Sequence, residues 1–104
     1  MQSYSANIDS DNMVKVIGDL TMYTIKLDWW QEQSKKVLQS LNKQAPIVFN
    51  LDGLTLSDSA GLAWLINIVR DSQKHGYKVI FQNIPEELSN LAKISDASPL
   101  LPVQ

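Results

Sequence analysis

Ile47-Val48-Phe49-Asn50-Leu51-Asp52-Gly53-Leu54-Thr55-Leu56-Ser57-Asp58-Ser59-Ala60-Gly61-Leu62 is the stretch whose reading decides the fold. A short apolar run, Ile47 to Phe49, passes through small and acidic residues at Asn50 to Leu54 into an amphipathic segment that continues to Val69. The pattern is strand, loop, helix. A strand that hands over to a helix in this way gathers hydroxyls, a carboxylate and free backbone N–H groups at one exposed tip, where a partner or a phosphate can meet them. That tip is the candidate site.

Outward from it, the helix runs from about Ser59 to His75 and stops at Gly76, which suits a left-handed C-cap position. Tyr77 to Gln82 is the next strand. Pro85 opens a further helix, Glu86 to Ile94, with acidic residues in its first turn as the helix dipole prefers. The tail, Ser98 to Gln104, holds two prolines and is expected to be irregular. Upstream, Tyr4 to Ile8 and Met13 to Gly18 flank the turn formers Asp9 to Asn12, so a hairpin is the economical reading. One long helix is expected from Leu20-Thr21 to about Leu41, N-capped by Thr21, with Trp30, Ser34, Val37, Leu38 and Leu41 on one face, and ended by Asn42 to Pro46. The continuously apolar start of Ile47 to Asn50 predicts burial on both faces. The class is α/β: a four-stranded mixed sheet of one antiparallel and three successive parallel strands, with helices mainly on one face and the other partly open.

Composition narrows the functions. The 104 residues suffice for one core, so a single domain spanning 1–104 is expected. A net charge of −2 with scattered lysines argues against nucleic acid and anionic lipid. The absence of cysteine removes disulfides, thiolate chemistry and most zinc sites. Neither a signal segment at Met1 to Ser5 nor a membrane-spanning run is recognised, which reads as a soluble, cytoplasmic protein without direct membrane insertion.

At the tip, Ser57, Asp58 and Ser59 can each cap the helix, and three acceptors crowd a turn that needs one. Gly61, a poor helix former, either lets another surface approach the backbone or serves close helix-to-sheet packing. Along the helix, about 100° per residue puts Leu62, Leu65, Ile66 and Val69 on one face as core, with Trp64 and Ile68 roughly opposite. Unless the helix is covered on both sides, Trp64 and Ile68 face solvent and form an aromatic-anchored interface. Trp29 lies off the face of its own helix, beside Ile25, either as packing filler or as part of a contact. No catalytic constellation emerges. The single His75 lies roughly 24 Å along the helix from Ser59, and Asp52 with Asp58 makes a thin metal site. Gly18, Gly53, Gly61 and Gly76 are too dispersed for a phosphate loop.

Gly18-Asp19-Leu20-Thr21, Ile47-Val48-Phe49-Asn50-Leu51 and Asp58-Ser59-Ala60-Gly61-Leu62, in this order, resemble the STAS domain family of anti-sigma-factor antagonists and related bacterial regulators. The residue matching Ser59 is the phosphoacceptor in the antagonists. Leu91-Ala92-Lys93-Ile94 and the short proline-containing tail look like the MlaB subfamily, the STAS subunits of Mla phospholipid-trafficking ABC transporters. Those subunits usually carry threonine then glycine where this chain has Ser59 and Ala60. The resemblance implies a non-enzymatic subunit, without cofactor or metal, that docks on the ABC transporter ATPase subunit and sits peripheral to the inner membrane. The partner-binding residues are then Ser57, Asp58, Ser59, Ala60, Gly61, Trp64 and Ile68. The alternative it implies is an antagonist of an anti-sigma-factor kinase, switched at Ser59.

Overall fold

The computed structural model describes residues 3–104, so Met1 and Gln2 of the N-terminal reading lie outside it. Strands β1 (Tyr4–Ser10) and β2 (Met13–Leu20) form the hairpin, followed by two short helices, α1 (Trp29–Glu32) and α2 (Lys35–Gln39). Then come β3 (Ile47–Ser57), α3 (Ser59–Lys74), β4 (Val79–Gln82) and α4 (Glu86–Ile94). The sheet order is β1-β2-β3-β4, with β1 antiparallel to β2 and the remaining neighbours parallel. This is the expected mixed α/β sheet.

The hairpin turns at Asp11-Asn12, where φ is 39° and 65°. Two successive positive φ values match the right-handed twist of the flanking strands, and Asp and Asn tolerate them best among residues with a side chain. Asn12 is also buried. Its side-chain amide donates to the carbonyls of Asn42 (2.6 Å) and Ala45 (3.0 Å), and its oxygen accepts from the Asn42 N–H (2.8 Å), locking the turn to the loop that enters β3.

On the inner face, Val14, Val16 and Leu20 of β2, Ile47, Phe49 and Leu51 of β3, and Val79 and Phe81 of β4 meet α3 and α4 in one core. Alternation along β3 leaves Val48 and Asn50 half-buried, so this strand is not sealed on both sides as its apolar start suggests. Asn50 to Leu54 is not a loop either. The strand continues to Ser57 because β2 supplies partners along its length, Ile17 opposite Gly53 and Leu20 opposite Ser57, with register shifts between Lys15 and Ile17 and between Gly18 and Asp19. The tail also departs from expectation. After a 3-10 turn at Ser98–Leu100, Val103 pairs in parallel with Phe81, and the Phe81 N–H donates to Pro102 O at 2.8 Å, so the tail lies along the β4 edge.

The long helix from Thr21 to Leu41 does not form. Thr21 caps nothing helical; its carbonyl accepts from the Thr24 and Ile25 N–H groups, and Thr24 Oγ1 donates to Asp19 O at 2.6 Å. Short polar side chains here offer the backbone bonds that compete with a continuous helix. Asp28 starts α1, with the Gln31 side chain accepting from the Asp28 N–H at 3.1 Å, and Ser34 starts α2 by accepting from the Val37 N–H at 3.2 Å. Trp29 is core: its indole N–H donates to Ala6 O at 3.0 Å and its ring meets Phe49 edge-on at 5.1 Å.

The largest correction concerns α3. Trp64 and Ile68 are sealed, at 1% and 0% exposure, and Ile66 and Val69 are only half-buried. The buried stripe is Gly61, Leu62, Trp64, Leu65, Ile68 and Ser72, so Leu62 and Leu65 are core as expected while the centre of the stripe is rotated roughly 80° from the expected one at 100° per residue. Segment 21–33 supplies the second cover. Tyr4 meets Trp64 edge-on at 5.6 Å, Asn67 donates to Asp28 Oδ1 at 3.0 Å, and Trp30 Nε1 donates to the buried Ser72 Oγ at 2.8 Å.

Candidate functional site

One carboxylate organises the tip. Asp58 has extended backbone (φ −138°, ψ −167°) and caps α3, its Oδ1 accepting from the Ala60 and Gly61 N–H groups at 2.9 and 3.3 Å. Its Oδ2 accepts from the Met22 N–H at 3.0 Å, which holds the turn after β2 against the start of α3. An acceptor at this position also suits the positive end of the helix dipole.

With Asp58 as the cap, the neighbouring hydroxyls separate. Ser57 is buried at the end of β3, whereas Ser59, the first residue of α3, is exposed and its hydroxyl makes no hydrogen bond among the described residues. Ala60 is half-buried beside it. Gly61 serves packing: a Cβ there would stand 2.6 Å from the Leu20 carbonyl oxygen, so the start of α3 rests directly on the end of β2. Trp64 and Ile68 are not part of an exposed patch. They lie inside, covered by Tyr4 and segment 21–33, so no partner reaches them in this conformation.

The apolar surface at the tip comes from residues that helical periodicity does not find. A groove of about 420 Å³ is lined by Ser57, Asp58, Ser59, Glu87, Asn90, Leu91 and Ile94. Ile94 is 81% exposed on its rim, and Met22, Tyr23 (71% exposed) and Leu56 lie beside Asp58 along the chain or through its hydrogen bond. A sequence signal exists only for Ile94, which falls off the stripe defined by Leu88, Leu91 and Ala92. Met22 and Tyr23 are masked by the expectation of a helix there, and Leu56 by the expectation of a loop before it.

The structure does not assemble a reactive cluster from the candidate acids. Asp52 stands six residues before Asp58 along extended β3, roughly 20 Å at 3.3 Å per residue, so the two do not form a pair. His75 caps the far end of α3. Among the described residues no group of three or more His, Cys, Asp or Glu side chains could hold a metal ion, and no helix is long and apolar enough to cross a membrane.

A mixed four-stranded sheet with its helix tip built on Asp58-Ser59-Ala60-Gly61-Leu62 defines a class of domain, and the comparisons give it a name. The sequence model of the STAS domain matches residues 6–104, and the chain belongs to that family. Its fold is similar to a solved structure of the anti-sigma factor antagonist SpoIIAA in its unphosphorylated form, with a TM-score of 0.56 and 14% sequence identity over 88% of this chain and 83% of that one. At this identity the likeness concerns the fold.

Proposed function

We propose that this STAS domain is a non-catalytic binding subunit that docks through the start of α3 on the ATPase of an Mla-type phospholipid-transport ABC complex, a system that maintains outer-membrane lipid asymmetry. The observation that carries the docking surface is the exposed Ser59 hydroxyl, without a hydrogen bond among the described residues, in a groove with exposed Ile94 on its rim and beside Asp58, to which the segment of exposed Met22 and Tyr23 is tied. Apolar anchors beside a polar centre are the layout of a protein interface. The choice of partner rests on the resemblance of Leu91 to Ile94 and the tail to MlaB. In this reading the chain is cytoplasmic, peripheral to the inner membrane through its partner, and needs no cofactor.

A second reading is favoured by Ser59 itself. An exposed hydroxyl at a helix start, free of intrachain bonds, is accessible to a kinase, and the added phosphate would place about −1.5 to −2 charges there. Such a chain would act as an antagonist of an anti-sigma-factor kinase, released on phosphorylation of Ser59. The two readings part at one side chain. In a constitutive interface Ser59→Ala leaves a partner group unpaired and weakens binding to the cognate ATPase by about 1 to 3 kcal/mol, Ser59→Thr is tolerated, and Ser59→Asp is worse than alanine. In the switch, Ser59→Ala binds fully and only Ser59→Asp fails. Wild-type affinity of Ser59→Ala, with phosphoserine at Ser59 in cells, would overturn the transporter reading.

A further inference from the structure

The opposite end of α3 carries a second concavity that the docking surface does not use. Trp30, Lys35, Leu38, Gln39, Leu41, Lys43, His75 and Tyr77 line an open depression of about 430 Å³, a volume within the roughly 300 to 1,000 Å³ typical of small-molecule sites. Its wall is aromatic and fixed in place. Trp30 stacks on His75 at 4.2 Å with planes 10° apart, and Tyr77 leans against Trp30 at 5.6 Å. The Trp30 indole is held by its bond to Ser72 Oγ at 2.8 Å, and the His75 ring donates from Nδ1 to Asp71 O at 2.8 Å, since a carbonyl only accepts. The rim, in contrast, is cationic.

Lys35 and Lys43 both line this cavity, and no carboxylate does, in a chain whose net charge is −2. Lys43 Nζ stands 5.8 Å above the Tyr77 ring, so a positive charge already hangs over the aromatic wall. Asp71, one turn before His75, faces Arg70 at 3.6 Å, and with Asp28 it lines an adjoining depression that shares Trp30, Leu38 and His75 with this one. A flat apolar body would pack on Trp30, Leu38, Leu41 and Tyr77, while an anionic group would reach the two ammonium groups. From the juxtaposition of this aromatic wall with the two rim lysines, Lys35 and Lys43, we infer a binding site for a small planar aromatic anion, an aryl phosphate or aryl carboxylate.

The test is a titration of the ¹⁵N-labelled protein with 1-naphthyl phosphate, followed at the Trp30 indole N–H and the Tyr77 amide, beside parallel titrations with inorganic phosphate and with 1-naphthol. Saturable shifts at both positions are expected, with the two fragments each at least about tenfold weaker than the joined molecule. The double substitution Lys35→Gln, Lys43→Gln, on exposed side chains, should weaken binding about tenfold while leaving the fold intact. Ser59→Asp, at the other end of the helix, should not change it. Absence of the Trp30 shift overturns the inference, as does 1-naphthol or inorganic phosphate binding as tightly as the joined molecule, or unchanged affinity in the double variant. So do shifts that follow protein concentration without added probe, which would make this end a self-association face.

Discussion

The middle of α3 and its N-terminal end place apolar side chains in opposite ways. At the middle, Trp64 and Ile68 are shut between the sheet and segment 21–33; at the end, Ile94 stands in solvent on the rim of the groove that holds Ser59, and Met22, Tyr23 and Leu56 are exposed near Asp58. The same irregular segment causes both. By folding as a turn and the short helix α1, it brings Asp28 and Trp30, beside Tyr4 of β1, against one flank of α3 and leaves Met22 and Tyr23 projecting beside the cap. Helical periodicity thus locates a buried face only when the neighbours of the helix are known. An aromatic opposite the expected stripe is evidence of a second cover before it is evidence of a partner.

The contrast breaks most visibly at Trp64. Truncating a fully buried tryptophan costs about 3 to 5 kcal/mol, so Trp64→Ala should lower stability as much as Leu65→Ala or more, measured by chemical denaturation. Trp64→Phe should cost much less, because the indole N–H it removes is buried without an acceptor among the described residues. A melting temperature left near wild type by Trp64→Ala would show that segment 21–33 does not cover the helix. At the end of the helix, Gly61→Ala tests packing of another kind. Its Cβ would press on the Leu20 carbonyl, a backbone atom that moves only with β2, and a loss of about 1 to 3 kcal/mol should outweigh alanine's better helix propensity. A stabilised Gly61→Ala would mean that the end of β2 yields.

For the exposed apolar residues of the tip the expectation reverses. Tyr23→Ala and Ile94→Ala should each leave stability within about 0.5 kcal/mol of wild type, since surface changes of this kind remove little packing. If the tip docks on its partner as proposed, at least one should weaken that binding by about 2 kcal/mol, the scale of an interface anchor. Calorimetry against the purified ATPase separates the two effects, and unchanged affinity in both variants would move the docking surface elsewhere.

How legible the molecule is in its sequence follows from the same contrast. Elements whose apolar pattern answers to the sheet are readable: the hairpin around Asp11-Asn12, α3 between Asp58 and the left-handed Gly76, and α4 behind Pro85. Segment 21–41 is not, because the Thr21, Thr24, Gln31 and Ser34 side chains satisfy backbone groups locally while the spacing of Trp30, Val37, Leu38 and Leu41 imitates one long helix. At the candidate site, a cap among Ser57, Asp58 and Ser59 is readable from residue chemistry, whereas the choice of Asp58 is decided by its second bond to the Met22 N–H, which only the fold supplies. The exposed apolar residues of the tip are not readable, since they come from three elements that meet only once the sheet is assembled.

The smallest effect is expected where β1 closes over the middle of α3. The Tyr4 hydroxyl donates to Glu32 Oε1, tying β1 to α1, while its ring covers Trp64. Burial first, and then the contact with Glu32, push the Tyr4 hydroxyl above its ordinary pKa of 10.0. The fold therefore prefers the neutral phenol. Its stabilisation is whole below pH 10, the value in the unfolded chain, and is lost as pH rises toward and through the raised value. Because the contact with Glu32 is partly open to solvent, Tyr4→Phe should cost less than about 1 kcal/mol at neutral pH, keeping the ring over Trp64 and losing only the hydroxyl. Denaturation curves of wild type and Tyr4→Phe should draw together above pH 10, because the unfolded wild-type chain then releases the Tyr4 proton that the fold retains, and Phe has no proton to lose. A gap that stays constant with pH would show that the hydroxyl does not hold this cover in place, and that the ring alone seals Trp64.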